Sequence, residues 1–99
     1  MITRIVKMHF KTEGVSTFLT IFEEMKQHIS QSEGCISLAL HRDMNHPDQF
    51  FTISTWKTEK ELNMYRESEL FKLTWSRVKP LFAEKASAWT LTVPFFEAK

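Results

Sequence analysis

The spacing of apolar residues changes period repeatedly along this chain, and the order of those changes leaves few folds open. From Ile2 to Lys11 the residues roughly alternate: Ile2, Val6, Met8 and Phe10 share one parity, and Ile5, Lys7 and His9 take the other. That pattern predicts a strand, closed by a turn at Glu13-Gly14. Over 16–32 the period becomes helical. Phe18, Ile21, Phe22, Met25 and Ile29 fall on one face, with Ser16 or Gly14 as N-cap and Gly34 as the stop.

Alternation returns from Cys35 to Arg42, with Ile36, Leu38 and Leu40 on one side and Cys35, Ser37, Ala39 and His41 on the other. Asp43 to Gln49 is turn chemistry, because Asn45-His46-Pro47-Asp48 cannot continue a strand. Phe50 to Trp56 forms the returning strand of a hairpin. Thr58-Glu59-Lys60-Glu61 reads as a capping box, in which the Thr hydroxyl serves a free backbone N–H. Helix follows to about Arg66, restarts at Ser68, and ends at Pro80. Ala86 to Val93 is the last strand, and Pro94-Phe95-Phe96 ends it.

The order is β-α-β-β-α-β with a broken second helix. The right-handed crossover rule makes the ferredoxin-like α+β arrangement its cheapest wiring: one antiparallel sheet with both helices on a single face. Strands one to three carry large apolar residues on both parities, and the helices cover only one. The bare face exceeds the few hundred Å² that a soluble monomer tolerates. A second copy packed sheet to sheet covers it, giving a homodimer, with Phe95-Phe96 as a candidate arm.

Composition removes several function classes. Ninety-nine residues make one domain, 1–99. The net charge is +1 with interspersed signs, so no basic block is available for nucleic acid. A single cysteine, Cys35, excludes an internal disulfide and fits a reducing compartment, the cytoplasm. There is neither a signal peptide nor an apolar run long enough for a membrane span. His41, Asp43 and His46 match no metal-ligand spacing, and two glycines cannot build a phosphate loop. Phe50-Phe51-Thr52-Ile53-Ser54 lacks the glycines and basic residue of an RNA-binding strand. Aromatics at 13% exceed what so small a core needs, so an interface or a pocket wall must use the surplus.

The stretch from Trp56 to Phe71 resembles the middle signature of the antibiotic biosynthesis monooxygenase (ABM) family, whose members are dimeric α+β barrels. There a Trp ends the third strand, a His commonly follows on the helix, and a Ser and a Phe come after it. Here Tyr65 stands in place of the His, with Ser68 and Phe71 following. In the haem-degrading branch a first-strand Asn, a helix Trp and a His ligand are required. Lys7, Tyr65 and Trp75 stand near those positions, so the resemblance implies no haem degradation.

What it implies instead is a cofactor-independent monooxygenase. A deprotonated phenol or enol is electron-rich enough to reduce dioxygen itself, so the protein need only bind an aromatic disc, take a proton and exclude water. Tyr65 would orient the substrate or donate a hydrogen bond. His9 or His41 would be the base, since imidazole titrates near neutrality, although a lone strand histidine is more often a solvated side chain. Trp56, Phe71 and Trp75 would form walls, against the plainer reading that they are core. The rival is a non-catalytic dimer that binds a small hydrophobic ligand, in which no histidine lines the cavity.

Overall fold

The computed structural model describes residues 1–92. Its strands are β1 (Ile2–Phe10), β2 (Cys35–Arg42), β3 (Gln49–Trp56) and β4 (Phe82–Thr92). Its helices are α1 (Val15–Ser30), α2 (Glu59–Arg66) and α3 (Glu69–Val78). The sheet is antiparallel in the order β2-β3-β1-β4, the ferredoxin-like arrangement. The candidate arm Phe95-Phe96 lies outside the described residues.

Strand parity decides everything that follows. Ile2, Met8 and Phe10 of β1 are buried beneath the helices, as are Phe50, Ser54 and Trp56 of β3. From α1, Phe18, Ile21, Met25 and Ile29 descend onto them at helical spacing. Phe10 is the centre of this core. Its ring stacks on Phe18 at 4.2 Å between centroids, meets Phe50 edge-on at 5.8 Å and lies 5.3 Å from Phe82. A second cluster of Ile2, Trp56 and Leu62 sits at the other end of the sheet, and Tyr65 packs on both.

Several local expectations need correction. Helix α1 ends at Ser30, and Gly34 belongs to the turn after it, with φ of +82°, which only glycine adopts cheaply. A Cβ there would fall 2.4 Å from the Cβ of Glu61, so Gly34 also lets the turn pass close beneath α2. The Thr58 hydroxyl donates to the Glu61 carboxylate and caps no backbone N–H. The Ser68 hydroxyl does cap, accepting from the Phe71 N–H at 3.1 Å, and this restarts the helix as α3.

Two strands are irregular. In β2 the register slips between Cys35 and Ser37, so Cys35 packs beneath the helices with Trp56 and parts from Ser37 and Ala39. Strand β4 starts at Phe82, not Ala86, after a 3₁₀ turn over Lys79–Leu81, and its register against β1 slips twice. Those bulges break its alternation, which is why its first four residues do not read as strand.

Candidate functional site

A cavity of about 510 Å³ opens between the sheet and the helices, within the range of small-molecule sites. Its floor is the helix-facing parity of the strands: Arg4, Val6 and Met8 from β1, Leu38 from β2, Thr52, Ser54 and Trp56 from β3, Ala86 and Ala88 from β4. Its roof is Phe18 and Phe22 from α1, Leu62, Tyr65 and Arg66 from α2, and Phe71, Thr74 and Trp75 from α3. An unbroken aromatic chain runs through it. Trp56 stacks on Tyr65 (5.1 Å), Tyr65 meets Phe71 edge-on (5.3 Å), Phe71 meets Trp75 (5.7 Å) and Trp75 meets Phe82 (5.6 Å).

Trp56, Tyr65, Phe71 and Trp75 are thus brought to one pocket. Trp56 is also core, being 1% exposed, and its indole N–H is spent on the Ser54 hydroxyl at 3.0 Å. It backs the wall behind Tyr65 and has no donor to spare. Tyr65 separates this pocket from a smaller one of about 250 Å³ bordered by Ser32, Glu33 and Glu61.

The histidines go elsewhere. His9 has the solvent-facing parity of β1, and its Nδ1 lies 2.6 Å from Glu84 Oε1. His41 pairs with Phe51 on that same outer face. The expectation that either is a base for this pocket is therefore corrected: the sheet stands between. Among the described residues, the lining contains no histidine and no carboxylate. No three His, Cys, Asp or Glu residues converge among them either.

What the sequence reading missed is a set of cations. Arg4, Arg66, Lys79 and Lys85 all border the cavity. Arg4 had a legible signal, because it occupies the apolar parity of Ile2, Val6 and Met8. A charge in that stripe has no place in a plain core. Burial first, and then the neighbouring Arg66 charge, lower the Arg4 pKa. Lys85 gave no such signal, since it reaches the lining through a bulge that sets Lys85 and Ala86 opposite Met8.

Tyr65 has a clear electrostatic character. Burial, and secondarily the nearby Cys35, raise its hydroxyl from an ordinary 10 to about 12. At neutral pH it is a hydrogen-bond donor and cannot be a base. The stability this group contributes is fully present below its unfolded value and is lost as pH rises from there through about 12. Tyr65 is the chain's one tyrosine, so phenolate absorbance reports it alone. In folded protein the titration is expected near 12, and in denaturant near 10. A folded-state midpoint near the unfolded value would mean that Tyr65 is solvated.

The sequence profile of the antibiotic biosynthesis monooxygenase family matches residues 1–75. Solved structures with the same fold are numerous. One is an antibiotic biosynthesis monooxygenase of 20% identity and TM-score 0.87, the match covering 95% of this chain and 100% of that one. Another is a conserved protein from Methanosarcina mazei Go1, with 21% identity, TM-score 0.85 and coverage of 91% and 90%. A third is Rv0793 from Mycobacterium tuberculosis, with 16% identity, TM-score 0.86 and coverage of 99% and 98%. At these identities the likeness is one of fold. No curated protein matches the sequence.

Proposed function

Because the chain belongs to the antibiotic biosynthesis monooxygenase family, we propose that it oxidises a small aromatic, quinol or polyphenol with dioxygen in the cavity between sheet and helices. The observation that carries this reading is the cavity itself, about 510 Å³ walled by Trp56, Tyr65, Phe71 and Trp75. An anthrone illustrates the balance. Its methylene carbon loses a proton to solvent and gives its electron pair to dioxygen, forming a C–O bond. The peroxide takes up a proton, and as the carbon gives up its second hydrogen as a proton the O–O bond breaks and water leaves, so one oxygen atom stays as the new carbonyl. All the electrons come from the substrate, and neither metal nor flavin is needed.

The protein's part is to hold the ring against the wall of Tyr65, Phe71 and Trp75, shed its water, and aim a donor at the oxygen where charge develops. Tyr65 suits that last role because it keeps its proton. The test is dioxygen uptake by metal-stripped protein with reduced quinols and anthrones, wild type beside Tyr65→Phe. Uptake above the spontaneous rate is expected, with a fall of roughly 10²-fold or more in the variant, the loss typical of one oxyanion donor.

The lack of a histidine or carboxylate in the described lining favours one other reading, a non-catalytic dimer that holds a small hydrophobic ligand. It predicts no uptake with any substrate, and no change in Tyr65→Phe beyond stability.

Either way the unit is a homodimer joined through the outer sheet face. The strand register supports this. Ala39, Ile53, Ile5 and Trp89 lie side by side across all four strands, an apolar row with no helix over it. Phe51 and Leu91 extend the row on either side, and Trp89 and Leu91 are each 46% exposed. Such a face is satisfied by a second copy of itself. Among the described residues no helix is long and apolar enough to cross a membrane, and the free thiol of Cys35 suits the cytoplasm.

A further inference from the structure

Building on the reading of this cavity as an aromatic-binding site, we infer that its occupant is an anion: an aromatic ring bearing an ionised acid group, which sits between Arg4 and Arg66. The one half-buried charge on the cavity floor is Arg4 of β1, whose cross-strand neighbours are Ser54 of β3, also on the floor beside Thr52, and Thr90 of β4, outside the lining. Arg4 is held in place there, its Nη1 donating to the Thr90 hydroxyl at 2.8 Å. Ser54 is 7% exposed, and its oxygen accepts from Trp56. Among the described residues its own O–H has no acceptor, so one buried donor is left for a ligand.

Arg66 enters from the roof, close enough for its charge to act on Arg4. Among the described residues neither guanidinium forms an ion pair. Two cations bordering one cavity, with no carboxylate in the lining, repel each other, and the half-buried Arg4 loses hydration with only a hydroxyl in return. An anion between them reverses both costs. The fork of donors on each guanidinium suits a planar carboxylate or an ionised phenol.

The alternative end of the cavity is a poorer seat. Lys79 and Lys85 are both exposed, so that end has no half-buried cation like Arg4, and Lys85 stands opposite Met8, about four residues along β1 from Arg4. At ~3.3 Å per residue that is roughly 13 Å away, enough room for a fused tricyclic ring system together with its acid group. The ring of a ligand anchored at Arg4 therefore extends over Val6 towards Met8 and Phe82.

This also addresses the missing base. A cation favours the charged form of a neighbouring acid, so the arginine pair lowers the pKa of a bound phenol or enol and lets water take its proton. The chemistry then needs no histidine.

The test compares two isosteres that differ in charge, anthracene-2-carboxylate and anthracene-2-carboxamide. Binding is read from tryptophan quenching at low salt in wild type and in the Arg4→Met/Arg66→Met double variant. Wild type is expected to bind the carboxylate at least tenfold more tightly than the amide. In the double variant that ratio should fall to near one, with amide affinity retained as proof that the pocket is folded. A Lys79→Met/Lys85→Met variant should keep most of the preference. Equal affinities in wild type would overturn the anion while leaving the aromatic pocket standing. Binding of neither compound would overturn both. A preference that survives loss of both arginines but vanishes with the two lysines would overturn the placement.

Discussion

Phe10→Ala is expected to remove a large share of the domain's stability, ~3–5 kcal/mol. Phe10 is 1% exposed and touches Phe18, Phe50 and Phe82, so it joins α1, β3 and the start of β4. Truncating a fully buried Phe typically costs ~3–5 kcal/mol, part as lost transfer energy and part as the cavity left behind. Domains of this size have only ~5–15 kcal/mol in total. The surrounding rings cannot collapse into the gap, because the sheet holds Phe50 and Phe82 by backbone pairing. Urea unfolding followed by tryptophan fluorescence measures the loss, with Phe10→Leu as a milder companion. A loss under ~1 kcal/mol would mean that this cluster is loosely packed and that the core lies elsewhere.

The same residue shows why the fold was legible and the site less so. Phe10, Met8 and Ile2 share a parity, and Phe18, Met25 and Ile29 share a helical face, so periodicity alone assigns them to one interior. Breaks in pattern carried the rest. The bulge at Cys35 moves that residue to the helix side, and the slips in β4 hide its first four residues. No count of alternating residues detects an inserted one. His9 and His41 were drawn towards the site by their chemistry, yet parity puts both on the outer face, His9 with Lys7 and His41 with Ala39. Taken seriously, the alternation that located the core would have excluded them. It would also have nominated Arg4, the one charged residue in a buried stripe. The aromatic walls were found through family resemblance, because a Trp at a strand end and a Tyr on the next helix have no spacing rule that joins them. Only the folded chain sets their rings 5.1 Å apart.

Ile53→Arg is expected to turn the proposed dimer into a folded monomer. Ile53 sits on the inner strand β3, flanked by Ala39 on β2 and Ile5 on β1, with Trp89 one strand further. It is therefore near the middle of the apolar row and not at its rim, where a long side chain could bend into water. In the dimer an Arg there is desolvated without a partner, since its cross-strand neighbours are apolar. Two-fold symmetry places the second Arg on the same patch, so the cost is incurred twice and the charges repel. An unpaired charge in an interface costs ~3–5 kcal/mol, enough to weaken association by at least about a hundredfold. In the monomer the same Arg is simply hydrated, because this face carries none of the core beneath the helices. Sedimentation velocity should show wild-type dimer and variant monomer with matching circular dichroism. Anthracene-2-carboxamide should still bind the monomer, since the pocket opens on the opposite side of the sheet. Wild type that sediments as a monomer would refute the sheet-face dimer. A variant that loses dimerisation and ligand binding together would show instead that the second copy shapes the pocket.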